Sequence, residues 1–371
     1  MKIGFLDNIA WDYRVDSVKH IPLGGSQSSL CYLAAALATQ NHQVFLFNSC
    51  STAAISLGVW CQPWGELFTA NLPELDVLIV LNHAGWGQKL RQVLPSETKL
   101  ILWTQHAFDQ PAIAPLQDPA ECASYDYFVF VSEWQRQTYL ASLEIHPRRT
   151  KLLRNCIAPA FENLFGSIAD LTSQKTHPPV LAYTSTPFRG LDLLLEIFPH
   201  LHQAIPGLIL KVFSSLQVYQ LADQSDPYSW LYAKCRETPG VEYIGSLPQA
   251  QLAQELRSVT LLVYPNHFAE TSCISVLEAM ASGCLVVTSN LGALPETTEG
   301  FGRLISVDDD WSRYQQDFIK EVLTLLQTPE DCSILTAFGE YQYIYWQVKY
   351  INKYYNWRRR ASEWASWLQN I

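Results

Sequence analysis

Two glutamates, Glu270 and Glu278, stand separated by seven residues in the run HFAETSCISVLEAMASG at positions 267–283. The apolar runs on either side, residues 259–264 and 284–288, read as strands, so the segment between them reads as the loop and helix of a βαβ crossover. That places it at a strand's carboxyl end, where open α/β sheets bind ligands. Thr271 or Ser272 is placed to cap the helix, leaving the backbone N–H groups of Ser272, Cys273 and Ile274 facing outward as an anion site. A phosphate is the matching guest. Glu278, about two turns into the helix, would then reach a ribose hydroxyl pair and Glu270 a sugar hydroxyl, a spacing that fits a nucleotide-sugar. The plainer reading makes Glu270 a partner of the helix dipole and Glu278 a solvated side chain on the exposed face.

This segment resembles the donor-site signature of the family 4 glycosyltransferases, retaining enzymes of the GT-B fold. Their pattern is two glutamates separated by seven residues ahead of an Ala-Met-Ala-Ser-Gly-like helix end; Val286-Val287-Thr288-Ser289-Asn290, Gly292 and Pro295-Glu296 continue it here. The resemblance implies an α/β chain of two Rossmann-like domains facing a central cleft, with a C-terminal helix crossing back to the N-terminal domain. The expected division is an acceptor-side domain at residues 1–170, a nucleotide-sugar donor domain at 171–340 and returning helices at 341–371.

Composition agrees with that size. A chain of 371 residues divides naturally into two domains. Its 48% hydrophobic and 16% charged residues are ordinary globular chemistry without a disordered tract. A formal net charge of −10 argues against generic nucleic-acid binding. Nine cysteines without paired metal spacings suit buried thiols in a reduced cytoplasmic protein. No signal sequence is expected at its start, because Lys2 leads straight into a strand, and no run of eighteen apolar residues appears. The expectation is a cytoplasmic protein, at most peripheral at a membrane's inner face.

The elements that would position the site follow in order. Residues 2–7 read as the first strand, ending in a loop with Trp11, Asp12 and Tyr13 and then Leu23-Gly24-Gly25-Ser26-Gln27; a helix over 28–40 and a strand over 43–48 complete a Rossmann-like opening. Gly24 and Gly25 permit the close approach and positive φ that phosphate cradles need, and in the family a matching loop meets the donor diphosphate from the opposite domain. Strands over 77–81 and 100–103 lead to His83 and His106. The family carries a histidine at the place of His106 that touches the donor hexose, so His106 is chosen and His83 left aside. Residues 126–132 read as a strand with Ser132 capping the next helix, and 151–155 as a strand ending in Asn155-Cys156-Ile157, where the family has Asn-Gly-Ile/Val.

A second alternating series begins with a strand over 180–184, a loop 185–190 and a helix over 191–200. Arg189 at that loop can make charge-assisted contacts with a diphosphate, and the family's matching Lys/Arg-Gly position stabilises the leaving phosphates. Many members carry a second basic residue slightly upstream; here Tyr183, Thr184 and Ser185 are neutral. Strands over 208–214 and 241–244 follow, and the resemblance puts the nucleotide base at the Gly245-Ser246-Leu247-Pro248 loop. Residues 223–239 read as a variable insertion or helix. Asp308-Asp309-Asp310 reads as a solvated helix cap rather than a cation site, and no essential metal or cofactor is expected. After Pro329 the chain reads as helical, with Tyr341, Tyr345, Trp346, Tyr350, Tyr354, Trp357, Trp364 and Trp367 beside Arg358-Arg359-Arg360. Such an aromatic face would dock on the N-terminal domain or, in the alternative, make weak peripheral membrane contact.

What the resemblance implies is transfer of a hexosyl unit from a nucleoside-diphosphate sugar to an acceptor hydroxyl on a glycan or lipid-linked acceptor, with retention. The catalytic set would be His106, Arg189 and Glu270; the donor-binding set adds Gly24, Gly25, Ser246, Leu247, Ser272, Cys273, Ile274 and Glu278. The alternatives are a catalytically weak or inactive sugar-nucleotide-binding or scaffold subunit, favoured by the missing second basic residue, and a nucleotide-sugar epimerase. A glycan phosphorylase ranks low, since no lysine lies in residues 259–296 to hold pyridoxal phosphate.

Overall fold

The computed structural model describes residues 1–69, 73–221, 225–326 and 334–371. The chain forms two compact units. The first contains Met1–His20, Gly24–Cys156 and Trp357–Ile371; the second contains Ile21–Leu23 and Ile157–Asn356. Asp223 and Pro329, named above as the starts of segments, lie outside the described residues.

The first unit is built on eight strands: β1 (Lys2–Leu6), β2 (Gln43–Asn48), β3 (Ala54–Ser56), β4 (Val59–Pro63), β5 (Val77–Leu81), β6 (Lys99–Trp103), β7 (Tyr127–Phe130) and β8 (Thr150–Leu152). They form one sheet in the order β3-β4-β2-β1-β5-β6-β7-β8. All neighbours are parallel except the β3–β4 pair. Parallel strands covered by helices on both faces read as unbroken apolar runs, and the five residues of β5, Val-Leu-Ile-Val-Leu, are all buried. Chain order reverses at β1, which lies between β2 and β5.

The second unit holds β9 (Val180–Tyr183), β10 (Ile209–Val212), β11 (Val241–Tyr243), β12 (Leu261–Tyr264), β13 (Leu285–Asn290) and β14 (Arg303–Ser306). Its sheet runs β11-β10-β9-β12-β13-β14 and is parallel throughout. Here the order reverses between β9 and β12, so their carboxyl ends flank this sheet's switch point. Two Rossmann-like units of this kind bear out the expected fold class. The β3–β4 hairpin and β14 go unread in the sequence, because each is short and half-exposed and so lacks an apolar run.

The C-terminal helix Trp357–Leu368 belongs to the first unit. Trp364 is fully buried and meets Trp103 edge-on at 5.4 Å, Trp367 meets Tyr127 at 5.6 Å, and Trp357 lies 6.3 Å from Tyr32. Gln40 Nε2 donates to Arg358 O and Ser362 Oγ. The aromatic run is therefore divided. Tyr341, Tyr345, Trp346, Tyr350 and Tyr354 sit on the helix Ile334–Tyr354 of the second unit, whose Ile344 and Val348 pack on Phe165 and Leu171. Arg359 and Arg360 both pair with Glu363. Among the described residues no helix is long and apolar enough to cross a membrane.

The eight described cysteines are all free and buried. Trp364→Ala should lower the unfolding free energy by about 3–5 kcal/mol, the usual cost of truncating a buried tryptophan. Trp346→Ala, at a side chain 58% exposed, should stay within about 0.5 kcal/mol of the parent. Urea denaturation of the two variants compares them directly.

Candidate functional site

In the second unit the sequence-predicted residues converge on the carboxyl ends of β9 and β12. Past β9 the chain turns through a short 3-10 helix, Pro187–Arg189, and enters the helix Leu191–Ala204 at Gly190. Gly190 has φ +104°, and a Cβ there would lie 2.1 Å from Pro265 O, so only glycine lets this loop close on the β12 loop. Arg189 Nη1 consequently reaches Glu270 Oε1 at 2.7 Å. The Tyr264 hydroxyl, on the last residue of β12, donates to the same Oε1 at 2.6 Å.

Glu270 is 2% exposed, so its charge depends on these partners. Proximity to Glu270 holds the Arg189 guanidinium above its ordinary range against the cost of burial. The guanidinium also lies 4.8 Å from the Phe268 ring and 5.5 Å from Phe188. Gly292 braces the other side: its φ is +59°, a Cβ would come within 2.6 Å of Glu270 O, and the next amide, Ala293 N–H, donates to that oxygen at 2.7 Å.

The helix after this loop runs Ile274–Ala281. Its N-cap is Cys273, with no side-chain cap bond, which corrects the expected cap at Thr271 or Ser272. The bond from Ala293 to Glu270 O keeps the chain in a loop past Glu270, so helical geometry begins later than the polar residues indicate. Ser272, Cys273 and Ile274 still stand at the helix start, where the first-turn N–H groups have no partner within the helix. The helix ends at Ser282, followed by Gly283 at φ +68°.

Glu278 does not lie on a solvated face. It is 4% exposed, its Oε1 accepts from Ala158 N–H at 3.2 Å, and it bonds with the Gln249 side chain. Burial lifts its pKa to about 8. Gln249 begins the helix Gln249–Leu256 directly after Gly245-Ser246-Leu247-Pro248, so Glu278 and the loop read as the base site are joined. Ser246 Oγ bonds to Ser215 Oγ at 2.7 Å, and Leu247 is half-buried beside it. Tyr264, Ser214 and Ser215 belong to this neighbourhood and are missed by the sequence reading, since nothing in their types marks a strand's last residue or the two beyond it.

The first unit holds the remaining candidates. Gly24 is the N-cap of the helix Gly25–Thr39 at φ −58°, and neither glycine has positive φ, which corrects the expected left-handed cradle and the helix start at 28. A glycine suits an N-cap because the chain there is still non-helical. At β1's end, buried Asp7 accepts from Tyr13 OH at 2.6 Å and from Gln27 Nε2 at 3.2 Å, tying this loop to the sheet. His106 follows β6 and is half-buried; its carbonyl accepts from Gln135 Nε2 at 2.8 Å and Tyr139 OH at 2.9 Å, which fixes its backbone. Ser132 caps its helix as read, Oγ accepting from Gln135 N–H at 3.0 Å. Cys156 is buried with no positive φ, so its position does not require the family's glycine.

Asp310 caps its helix through Arg313 N–H at 3.0 Å. Among the described residues no group of three His, Cys, Asp or Glu side chains is placed to hold a metal ion.

Two largely parallel sheets with a helix returning to the first make the GT-B fold, and solved structures share it. Sucrose-phosphate synthase from Thermosynechococcus elongatus matches with TM-score 0.70 at 15% identity, covering 100% of this chain and 98% of that one. Anabaena HepE in complex with UDP-glucose matches with TM-score 0.69 at 14% identity, covering 100% of both chains. Residues 178–328 match the model of the family described as glycosyl transferases group 1. Phosphatidyl-myo-inositol mannosyltransferase of Mycobacterium tuberculosis is 28% identical over 124 residues, 33% of this chain and 30% of that relative's length.

Glu278 offers a pH readout. Its ordinary value is 4.5 and its folded value about 8, so the unfolded chain ionises first and stability falls as pH rises through that window. Glu278→Gln removes this titration. The melting-temperature difference, variant minus parent, should grow more positive between about pH 5 and about pH 9, as measured by scanning fluorimetry.

Proposed function

We propose that this chain transfers a hexosyl unit from a nucleoside-diphosphate sugar to an acceptor hydroxyl with retention at the anomeric carbon. The observation that carries the reading is the pair of Arg189 with the buried Glu270 at the switch point of the second sheet, inside the segment that matches the group 1 model. Open parallel sheets bind ligands at that place.

In this reading Arg189 and the first-turn N–H groups at Ile274 meet the diphosphate, Glu270 a hexose hydroxyl and Glu278 the ribose pair. The bond from C1 to the phosphate oxygen breaks with its electron pair going to the diphosphate. The acceptor oxygen forms the new bond to C1, and its proton passes to the departing phosphate oxygen, so no protein base is required. Charge grows on the diphosphate as it leaves, and a cation held there stabilises that state more than the ground state. His106 is the first unit's candidate for a sugar hydroxyl. The acceptor is a glycan or a lipid-linked acceptor, the latter in keeping with the lipid named in the mycobacterial relative. No metal is required in this scheme.

A second reading has one observation in its favour. Arg189 is engaged with Glu270, and Thr184 and Ser185 supply no further charge, an arrangement that suits a subunit that binds sugar nucleotides without turning them over.

A thermal-shift panel of UDP, GDP, ADP and their common hexose conjugates, with and without added divalent metal, tests the donor site. One selective rise is expected, since ligand binding stabilises the folded state by mass action; UDP-glucose, bound by Anabaena HepE, is the first compound to try. With the donor so found, Arg189→Ala should cut turnover by roughly two to three orders of magnitude if it acts as an oxyanion-type stabiliser. Weakened donor binding with no turnover in the parent would support the non-catalytic reading. No shift with any nucleotide would remove both.

A further inference from the structure

Buried polar atoms without partners gather on the carboxyl edge of the second sheet. They are Thr184 Oγ1, Thr186 Oγ1 and Arg189 Nε on the β9 loop, and Ser214 Oγ just past β10. Strand register sets the two loops side by side. Tyr183 pairs with Val212, and Phe213 N–H donates to Tyr183 O at 2.8 Å, so Thr184 and Ser214 continue neighbouring strands at nearly the same level.

The main chain that carries these hydroxyls is held firmly. Tyr183 OH donates to Thr186 O at 2.7 Å, and Tyr243 OH donates to Ser214 O at 2.9 Å. Thr186 is 8% exposed and Ser214 1% exposed. Ser185 Oγ, by contrast, has found the Tyr264 hydroxyl at 3.3 Å. Buried hydroxyls in folded proteins nearly always have a partner. Three without one lie on the edge that carries a guanidinium.

We propose that Thr184, Thr186 and Ser214 form a neutral hydroxyl cradle for the donor's phosphates, in the place where many relatives carry a second basic residue. The proposal rests on the donor-site reading above and specifies how this chain meets the phosphates. A hydroxyl donating to a phosphate oxygen makes a charge-assisted bond, yet it brings no net charge. It therefore gains less than a cation would as charge builds on the departing diphosphate. The cradle serves donor binding more than turnover, and Arg189 alone carries the charge-dependent part.

The test uses the full chain, the tightest binder among UDP, GDP and ADP, and the parent nucleoside of that compound. Isothermal titration of Thr186→Val and Ser214→Ala should show diphosphate binding weakened about tenfold in each, the effect of one hydrogen bond to a charged group, with nucleoside binding unchanged. Thr186→Ser should restore the parent's affinity. Ligand-free melting temperatures check that each variant folds, and Thr184→Val, at a half-buried position, replaces any variant that does not. Unchanged diphosphate affinity, or equal loss for nucleoside and diphosphate, would overturn the cradle while leaving the donor site standing. If the parent chain binds none of the three diphosphates, the donor-site reading fails, and the cradle with it.

Discussion

A carboxylate only 2% exposed is tolerable in a protein interior when its charge is met, and Glu270 is met by one guanidinium and one phenol. Removing the guanidinium leaves that charge uncompensated, which is far more costly than the pair itself is stabilising. Much local geometry serves this arrangement. Gly190 takes a left-handed φ so that the Arg189 loop can close on Pro265, and Gly292 does the same so that the next amide can hold the Glu270 carbonyl. Ser289 Oγ donates to Asn266 O, and Thr288 Oγ1 donates to Tyr264 O at 2.8 Å, which ties the β12 loop to β13. The pair is thus built into the sheet's edge.

That rigidity bears on chemistry. A cation already held in place can meet developing charge without reorganising at the moment of reaction. The same pair also balances Arg189 internally, so an incoming diphosphate must share the guanidinium with Glu270. A hexose hydroxyl donating to Glu270 would return part of what the carboxylate gives up. On this view donor phosphate and donor sugar are read together by one coupled pair of side chains, which gives a physical reason for the glutamate to stand where it does.

Much of this was legible from local pattern. The parallel strands announced themselves as apolar runs, and Glu270, Glu278 and Arg189 stood out because their spacing lies within one helix or one loop. What stayed hidden depends on neighbours distant in the chain. Tyr264 looks like any strand residue until its hydroxyl is seen on Glu270. The cap was misplaced because a bond from Ala293 delays the helix beyond Thr271 and Ser272. The plainer reading of Glu278 as a solvated side chain fails, because its burial beside Gln249 and Ala158 follows from packing across the unit. Glycines at 24 and 25 invited a left-handed reading, whereas the backbone there simply starts a helix. Hydroxyls at 184, 186 and 214 carry no sequence signal, since their lack of partners exists only in three dimensions.

In the proposed function a diphosphate binds at the carboxyl edge of β9 and β12 on Arg189. A crystal structure of the chain with the nucleoside diphosphate it binds most tightly tests this most directly. Phosphate density within hydrogen-bond distance of the Arg189 guanidinium, with the ribose beside Glu278, is the expected result. Phosphate density elsewhere, with the Arg189–Glu270 pair undisturbed and nothing against it, would contradict the account.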